Sequence, residues 1–172
     1  MSKNNALENN SNPENEIFVS LPEQKLQLRR KGILLASYPV STARNGPGEE
    51  FGSECTPRGR HIIRAAIGAG YDAGSVFVAR RPTGEIWSDE LSLAEPERDW
   101  ILSRILWLSG LEPGKNRLAN VDTMRRYIYI HGTPYEEEIG CPVSHGCIRM
   151  RNADLIELYE RVGPGTIVTI NS

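Results

Sequence analysis

The sequence predicts a mostly β domain, sandwich-like or barrel-like, with one or two short helices. Three observations carry this expectation. Short apolar segments alternate with turn residues along most of the chain, only one segment has a helical face with end signals, and no internal repeat occurs. At 172 residues and 39% hydrophobic content the chain can bury one good core but not two.

The elements follow in chain order. Residues 1–15 are rich in Asn, Glu and Ser and nearly devoid of large apolar groups, so they read as a mobile tail before a domain at 16–172. Ile17 to Ser20, Leu26 to Arg29 and Ile33 to Val40 read as strands, and Asn45-Gly46-Pro47-Gly48 breaks the run. His61 to Ala66 is the next strand. Val76 to Arg80 follows, before an expected turn at Pro82-Thr83-Gly84.

Trp100 to Leu108 fits neither strict alternation nor a helical face and is assigned to a buried strand. Tyr127 to His131 and Ile167 to Ile170 complete the strands, the latter after Gly163-Pro164-Gly165. Asn152 is expected to cap the one helix, with Asp154 in its first turn. Leu155, Leu158, Tyr159 and Val162 share its face, and Gly163-Pro164 stops it.

Composition narrows the function. A formal net charge of −2 with interspersed signs gives no footprint for nucleic acid or an anionic membrane. The three cysteines, Cys55, Cys141 and Cys147, do not form a secreted disulfide framework. The first residues lack the apolar core of a secretory signal, and Ile33 to Ala36 is too short to span a bilayer. The expectation is a soluble cytoplasmic protein, periplasmic if the start site is misassigned. No phosphate loop of the GxxxxGK[ST] or GxGxxG type is present.

The chemistry is concentrated in Ser144-His145-Gly146-Cys147-Ile148-Arg149-Met150, with His131-Gly132-Thr133 upstream. A thiol becomes a good nucleophile when a neighbour takes its proton, and a nearby imidazole is expected to lower its pKa. Gly146 lets backbone approach a substrate and frees N–H groups for a developing oxyanion. Three other readings stand beside this one. His131, Cys141, His145 and Cys147 supply four zinc-ligand types, although their spacing is poor for a structural site. Cys141 and Cys147 can pair as a disulfide. Each residue can also be purely structural, as Cys55 is expected to be.

At these residues the chain resembles the L,D-transpeptidase (YkuD-type) catalytic domain, whose signature is a histidine, a spacer, then Ser/Thr-His-Gly-Cys. Further matching segments are Tyr38-Pro39-Val40-Ser41-Thr42, Thr56-Pro57-Arg58-Gly59, Tyr127 to Thr133 and Asn152-Ala153-Asp154. The resemblance implies a YkuD-like β-sandwich and an acyl-enzyme formed on peptidoglycan tetrapeptide stems. Cys147 would attack the carbonyl of the third residue, commonly diaminopimelate, and expel D-Ala. His131, oriented by a backbone carbonyl, would act as general base and acid.

By the same resemblance Ser144, His145 and Gly146 shape the loop and oxyanion hole, with the N–H groups of Gly146 and Cys147 as donors. Arg149 and Gly132 would contact substrate; Arg125, Arg126 and Arg151 have weaker claims, since solvated charges explain them just as well. No metal or other cofactor is implied. Water as acceptor gives an L,D-carboxypeptidase working on cytoplasmic muropeptides in peptidoglycan recycling. An amine gives an L,D-transpeptidase that cross-links stems or exchanges D-amino acids. The absent leader tilts the expectation towards water. A zinc-stabilised or inactive peptidoglycan-peptide binding module is the remote alternative.

Overall fold

A computed structural model describes residues 11–172. The fold is mostly β, built as one mixed sheet of ten strands. In chain order the elements are β1 (Asn15–Ser20), β2 (Lys25–Arg30), β3 (Ile33–Pro39), β4 (Gly59–Ile67), β5 (Ser75–Val78), β6 (Arg81–Ile86), α1 (Asp89–Ala94), β7 (Ile101–Gly110), β8 (Tyr129–Gly132), β9 (Ile148–Met150), α2 (Asn152–Arg161) and β10 (Ile167–Asn171). The order across the sheet is β3-β2-β1-β10-β4-β7-β5-β6, with β8 branching from β7 and β9 pairing β8. The β1–β10 and β8–β9 pairs are parallel; the other pairs are antiparallel.

The two limbs of the sheet share one core. Ile17, Leu26 and Leu28 from the first hairpin pack with Leu106, Leu108, Ile130 and Ile148 from the β7–β9 limb, and Leu155 and Leu158 of α2 join them. Just past β3 the chain bridges back to β9: Ser41 and Arg149 exchange backbone hydrogen bonds of 2.9 and 2.8 Å. This closure joins the chain after β3 to the short strand that leaves the Cys147 loop.

Several expectations shift in detail, each for a local reason. The Pro82-Thr83-Gly84 turn is instead strand, inside β6. The β5–β6 reversal falls at Ala79-Arg80, which take φ of 47° and 65° without the glycine or asparagine that usually marks such a turn. The segment assigned to a buried strand is β7. Its mixed periodicity has a cause: the register slips between Leu102 and Ile105, around Ser103 at φ 72°.

Helix α1 was not anticipated. Ser88 caps it by accepting from Leu91 N at 3.1 Å, but it buries no residue and so leaves no apolar stripe to read. Helix α2 begins where expected, yet Asn152 does not cap it. That amide donates to Thr133 O and to Glu136 Oε1, both at 2.9 Å. The helix starts after Arg151 with no side-chain cap. Of the expected tail at 1–15, residues 1–10 lie outside the described residues. Asn15 opens β1 with its side chain buried, bonded to Arg161 O and Arg30.

Candidate active site

Strand parity brings the key side chains together. Neighbouring residues of a strand face opposite ways, so in β8 and β9 the core takes Ile130, Ile148 and Met150 while Tyr129, His131 and Arg149 face the other side. His131 stands beside Arg149 across the parallel β8–β9 pair and opposite Ile105 across β7. Cys147, two residues before Arg149, packs in the cluster of Phe77, Ile105 and Tyr129 on that same face. A cavity of about 180 Å³ opens there. Cys147, His131, Ser144, His145 and Arg149 line it, joined by Asp99, Arg126, Tyr127 and Ile128.

The imidazole is fixed by one bond. His131 Nδ1 lies 2.8 Å from Gly132 O, which can only accept, so Nδ1 carries the proton and Nε2 is the basic atom. The thiol is held from behind: Tyr129 N–H donates to Cys147 Sγ at 3.3 Å, and the thiol reaches Tyr127 O at 3.5 Å.

Electrostatics corrects the expectation of a lowered thiol pKa. Burial pushes Cys147 up to about 12, against the opposing pull of the Tyr129 N–H. His131 is pushed down, chiefly by burial, with Asp99 working the other way. Burial thus favours the neutral form of both groups, thiol and imidazole. Cys147 itself retains partial solvent exposure, so the thiol remains reachable from the cavity.

The loop that presents Cys147 is braced on three sides. Ser144, 1% exposed, donates Oγ to Cys147 O at 2.6 Å and accepts Gly146 N–H at 3.3 Å. Thr56 Oγ1 donates to Gly146 O at 2.8 Å, and Ser144 N–H donates to Thr42 O at 2.9 Å. Gly146 has φ 130°, and a Cβ there would lie 3.2 Å from Cys55 O and 3.1 Å from Ile128 Cδ1. Glycine is needed for both reasons. Ser41, Thr42 and Thr56, distant in sequence, thus fix the conformation of the nucleophile loop.

Among the sequence-derived residues the structure separates roles. Gly146 N–H is engaged by Ser144, which leaves the Cys147 N–H as the one of the two expected donors without a partner among the described residues. His145 is exposed at the rim. Gly132, expected to touch substrate, is buried behind His131; its carbonyl holds Nδ1, and a Cβ on it would meet Asn152 Oδ1 and Leu102 O. Asn152 in turn accepts from Ser103 Oγ at 2.6 Å, so it buttresses the back of β8.

Two charged residues were missed or undervalued. Arg126, read as solvated, donates to Gly48 O, Ser53 Oγ and Cys55 O, clamping the Gly48–Cys55 loop to the cavity wall. Asp99 lay in no recognisable pattern; only its position before β7 brings it to the cavity. Cys141 is exposed, and all three cysteines are free thiols. Among the described residues no group of three or more His, Cys, Asp or Glu side chains is arranged to hold a metal ion. None of their helices is long and apolar enough to cross a membrane.

Comparison with known proteins agrees with this fold. The family described as L,D-transpeptidase catalytic domain (YkuD) matches residues 14–170. The Bacillus subtilis (strain 168) protein named "Putative L,D-transpeptidase YkuD" is 53% identical over 47 residues, 27% of this chain and 29% of that protein. An L,D-transpeptidase from Mycobacterium smegmatis has a similar fold, with TM-score 0.60 and 18% identity over 92% of this chain and 59% of that one. L,D-transpeptidase 3 from Mycobacterium tuberculosis, solved with a faropenem-derived adduct, gives TM-score 0.57 and 16% identity over 92% and 60%. These matches span less than two thirds of each relative.

Proposed function

This chain belongs to the YkuD family of L,D-transpeptidase catalytic domains, and on that premise we propose that it cleaves peptidoglycan tetrapeptide stems at the bond between the third residue and D-Ala through an acyl-enzyme on Cys147. The observation that carries the reading is the opening of Cys147 and His131 into one cavity, with Nδ1 locked on Gly132 O and Nε2 left basic.

The steps follow from that arrangement. His131 Nε2 takes the thiol proton as Sγ bonds to the carbonyl carbon, so a thiolate need not exist beforehand. The carbonyl oxygen becomes an oxyanion facing the Cys147 N–H. As the tetrahedral intermediate collapses the C–N bond breaks, and His131 returns its proton to the departing D-Ala amine. The thioester then meets an acceptor. An amine nucleophile loses its proton to His131 and forms a new amide, giving a cross-link or an exchanged D-amino acid. The thiolate released as that amide forms recovers its proton from the imidazolium.

Water is the second acceptor we consider, because the partial exposure of Cys147 leaves the thioester open to solvent. It would yield tripeptide, an L,D-carboxypeptidase reaction suited to recycling of cytoplasmic muropeptides. Incubating the protein with a tetrapeptide, with and without a D-amino acid, and weighing the products separates the two. Tripeptide alone supports hydrolysis, and exchange or dimer products support transfer. Binding without turnover, and no mass adduct on Cys147 with a penem or carbapenem, would reduce the chain to a peptide-binding module.

A further inference from the structure

Arg149 sits loosely between two carboxylates beside the cavity, at ion-pair distance from each but hydrogen-bonded to neither. Arg149 Nη2 stops 3.7 Å from Asp99 Oδ1, and Nη1 stops 4.0 Å from Glu138 Oε2. None of its guanidinium N–H groups makes a hydrogen bond to another described residue, although its side chain is only 13% exposed. Two other arginines close their pairs, whereas the partly exposed Arg161 stops 3.5 Å from Glu157. Arg58 forks onto Glu49 at 2.7 and 3.0 Å, and Arg98 reaches Glu85 at 2.8 Å.

A largely desolvated guanidinium without hydrogen bonds is unfavourable unless something else supplies them. Arg126, the other cation of the cavity, is already engaged by Gly48 O, Ser53 Oγ and Cys55 O. Arg149 therefore presents the cavity's available fork of donors, with the 63%-exposed Asp99 carboxylate beside it. At about 180 Å³ the cavity holds the volume of about six waters, enough for an amino acid head group.

We propose that Asp99 and Arg149 form a receptor for a zwitterionic α-amino acid head, Arg149 forking onto its carboxylate and Asp99 accepting from its ammonium. With Asp99 and Arg149 3.7 Å apart, a head group laid antiparallel to them would bring each of its charges beside its opposite. Resting on the function proposed above, this assigns two residues to substrate recognition, reading either the side-chain head of a diamino diacid at the third stem position or the head of a free D-amino acid acceptor. Both have the same chemistry at the receptor. Asp99 is then a specificity residue for the reaction, placed by the turn between α1 and β7.

The test has a binding arm and a turnover arm. By NMR titration of the intact chain, D-alanine should bind roughly tenfold or more tighter than propionate or ethylamine, each of which carries one of its charges. Asp99→Asn should erase the advantage over propionate, and Arg149→Lys, which keeps the charge but not the fork, should weaken the advantage over ethylamine. Equal binding of the three probes to the wild type, or unchanged selectivity in Asp99→Asn, overturns the proposal.

In turnover, tetrapeptides carrying meso-diaminopimelate, 2-aminopimelate or lysine at position three are compared, then D-amino acids against simple amines as acceptors. A preference for the zwitterion in the first series assigns the receptor to the donor, and in the second to the acceptor. Turnover with preference in neither overturns it, as does a fall in kcat shared by all substrates of Asp99→Asn with selectivity intact, which would mean action through His131 alone. If no tetrapeptide turns over while D-alanine selectivity persists, the proposed function fails and the receptor stands.

Discussion

His61 and His131 make a controlled comparison within one molecule. Both are buried on central strands, at 0% and 1% exposure, and both place Nδ1 on a nearby backbone carbonyl, Gly59 O at 3.0 Å and Gly132 O at 2.8 Å. Burial lowers the pKa of both, that of His61 to about 4. They differ at the second nitrogen. His61 Nε2 accepts from Thr123 Oγ1 at 3.0 Å, whereas His131 lines a cavity beside a thiol and its Nε2 has no hydrogen-bond partner among the described residues. Burial and tautomer make a histidine neutral and oriented; an unoccupied basic nitrogen beside a nucleophile makes it useful.

The largest test of that contrast is kinetic. Removal of the base in His131→Ala should lower kcat by about a thousandfold, the scale of general acid–base catalysis, while thermal unfolding stays close to wild type. His61→Ala should do the reverse, with a clear loss of stability and near-normal turnover in the fraction that folds. Equal kinetic losses in both would break the comparison.

A second test reads the thiol. With its pKa near 12, the rate of Cys147 alkylation by iodoacetamide should rise almost tenfold per pH unit from 7 to 10 without a plateau. Saturation near neutral pH would mean a resting thiolate–imidazolium pair, contrary to the neutral forms that burial favours.

Acid stability sharpens the comparison further. A histidine whose folded pKa lies below its unfolded value binds more protons when unfolded, so stability is full above the unfolded pKa and falls as pH drops. For His61 the window runs from 6.5 to about 4, and complete traversal costs about 3 kcal/mol. Urea unfolding at pH 7.5 and 4.5 should show this loss, and His61→Gln should remove that part of the slope. His131 adds to the slope in the same direction. The smallest effect is expected at Thr123→Val, where an unsatisfied Nε2 should cost about 1–2 kcal/mol by urea unfolding with kcat unchanged. No loss there would show that the Thr123 bond does not distinguish the two histidines energetically.

Much of the site was legible because its residues are contiguous. Ser144 to Arg149 is one run, and a strand reading of Tyr127 to His131 was enough to bring His131 near it, although the strand itself begins at Tyr129 and Tyr127 takes φ 55°. The alternation that buries Ile148 and Met150 and turns Arg149 outward is visible in the same letters. Asp99 was illegible because a single carboxylate on a turn has no periodicity. Arg126 was misread because charge in sequence does not reveal the three backbone and hydroxyl acceptors gathered around it. Asn152 was assigned a local helix cap, and a tertiary partner won instead: Thr133 O and Glu136 claim its amide.

The sequence by itself determined the mostly β class, the short run that brings Cys147 and its neighbours together and the glycine that their loop requires. These rest on local rules, namely side-chain period, turn residues and reactive groups in a short run. Only the tertiary structure decided the burial of Cys147 and His131, the backbone carbonyl that holds the imidazole, the Ser144 contact that occupies Gly146 N–H and leaves Cys147 N–H without a partner among the described residues, and the approach of Asp99 to Arg149. The physical reason is common to all four. Desolvation and hydrogen-bond occupancy depend on which distant segments surround a group, and sheet closure through Ser41 and Arg149 sets those surroundings.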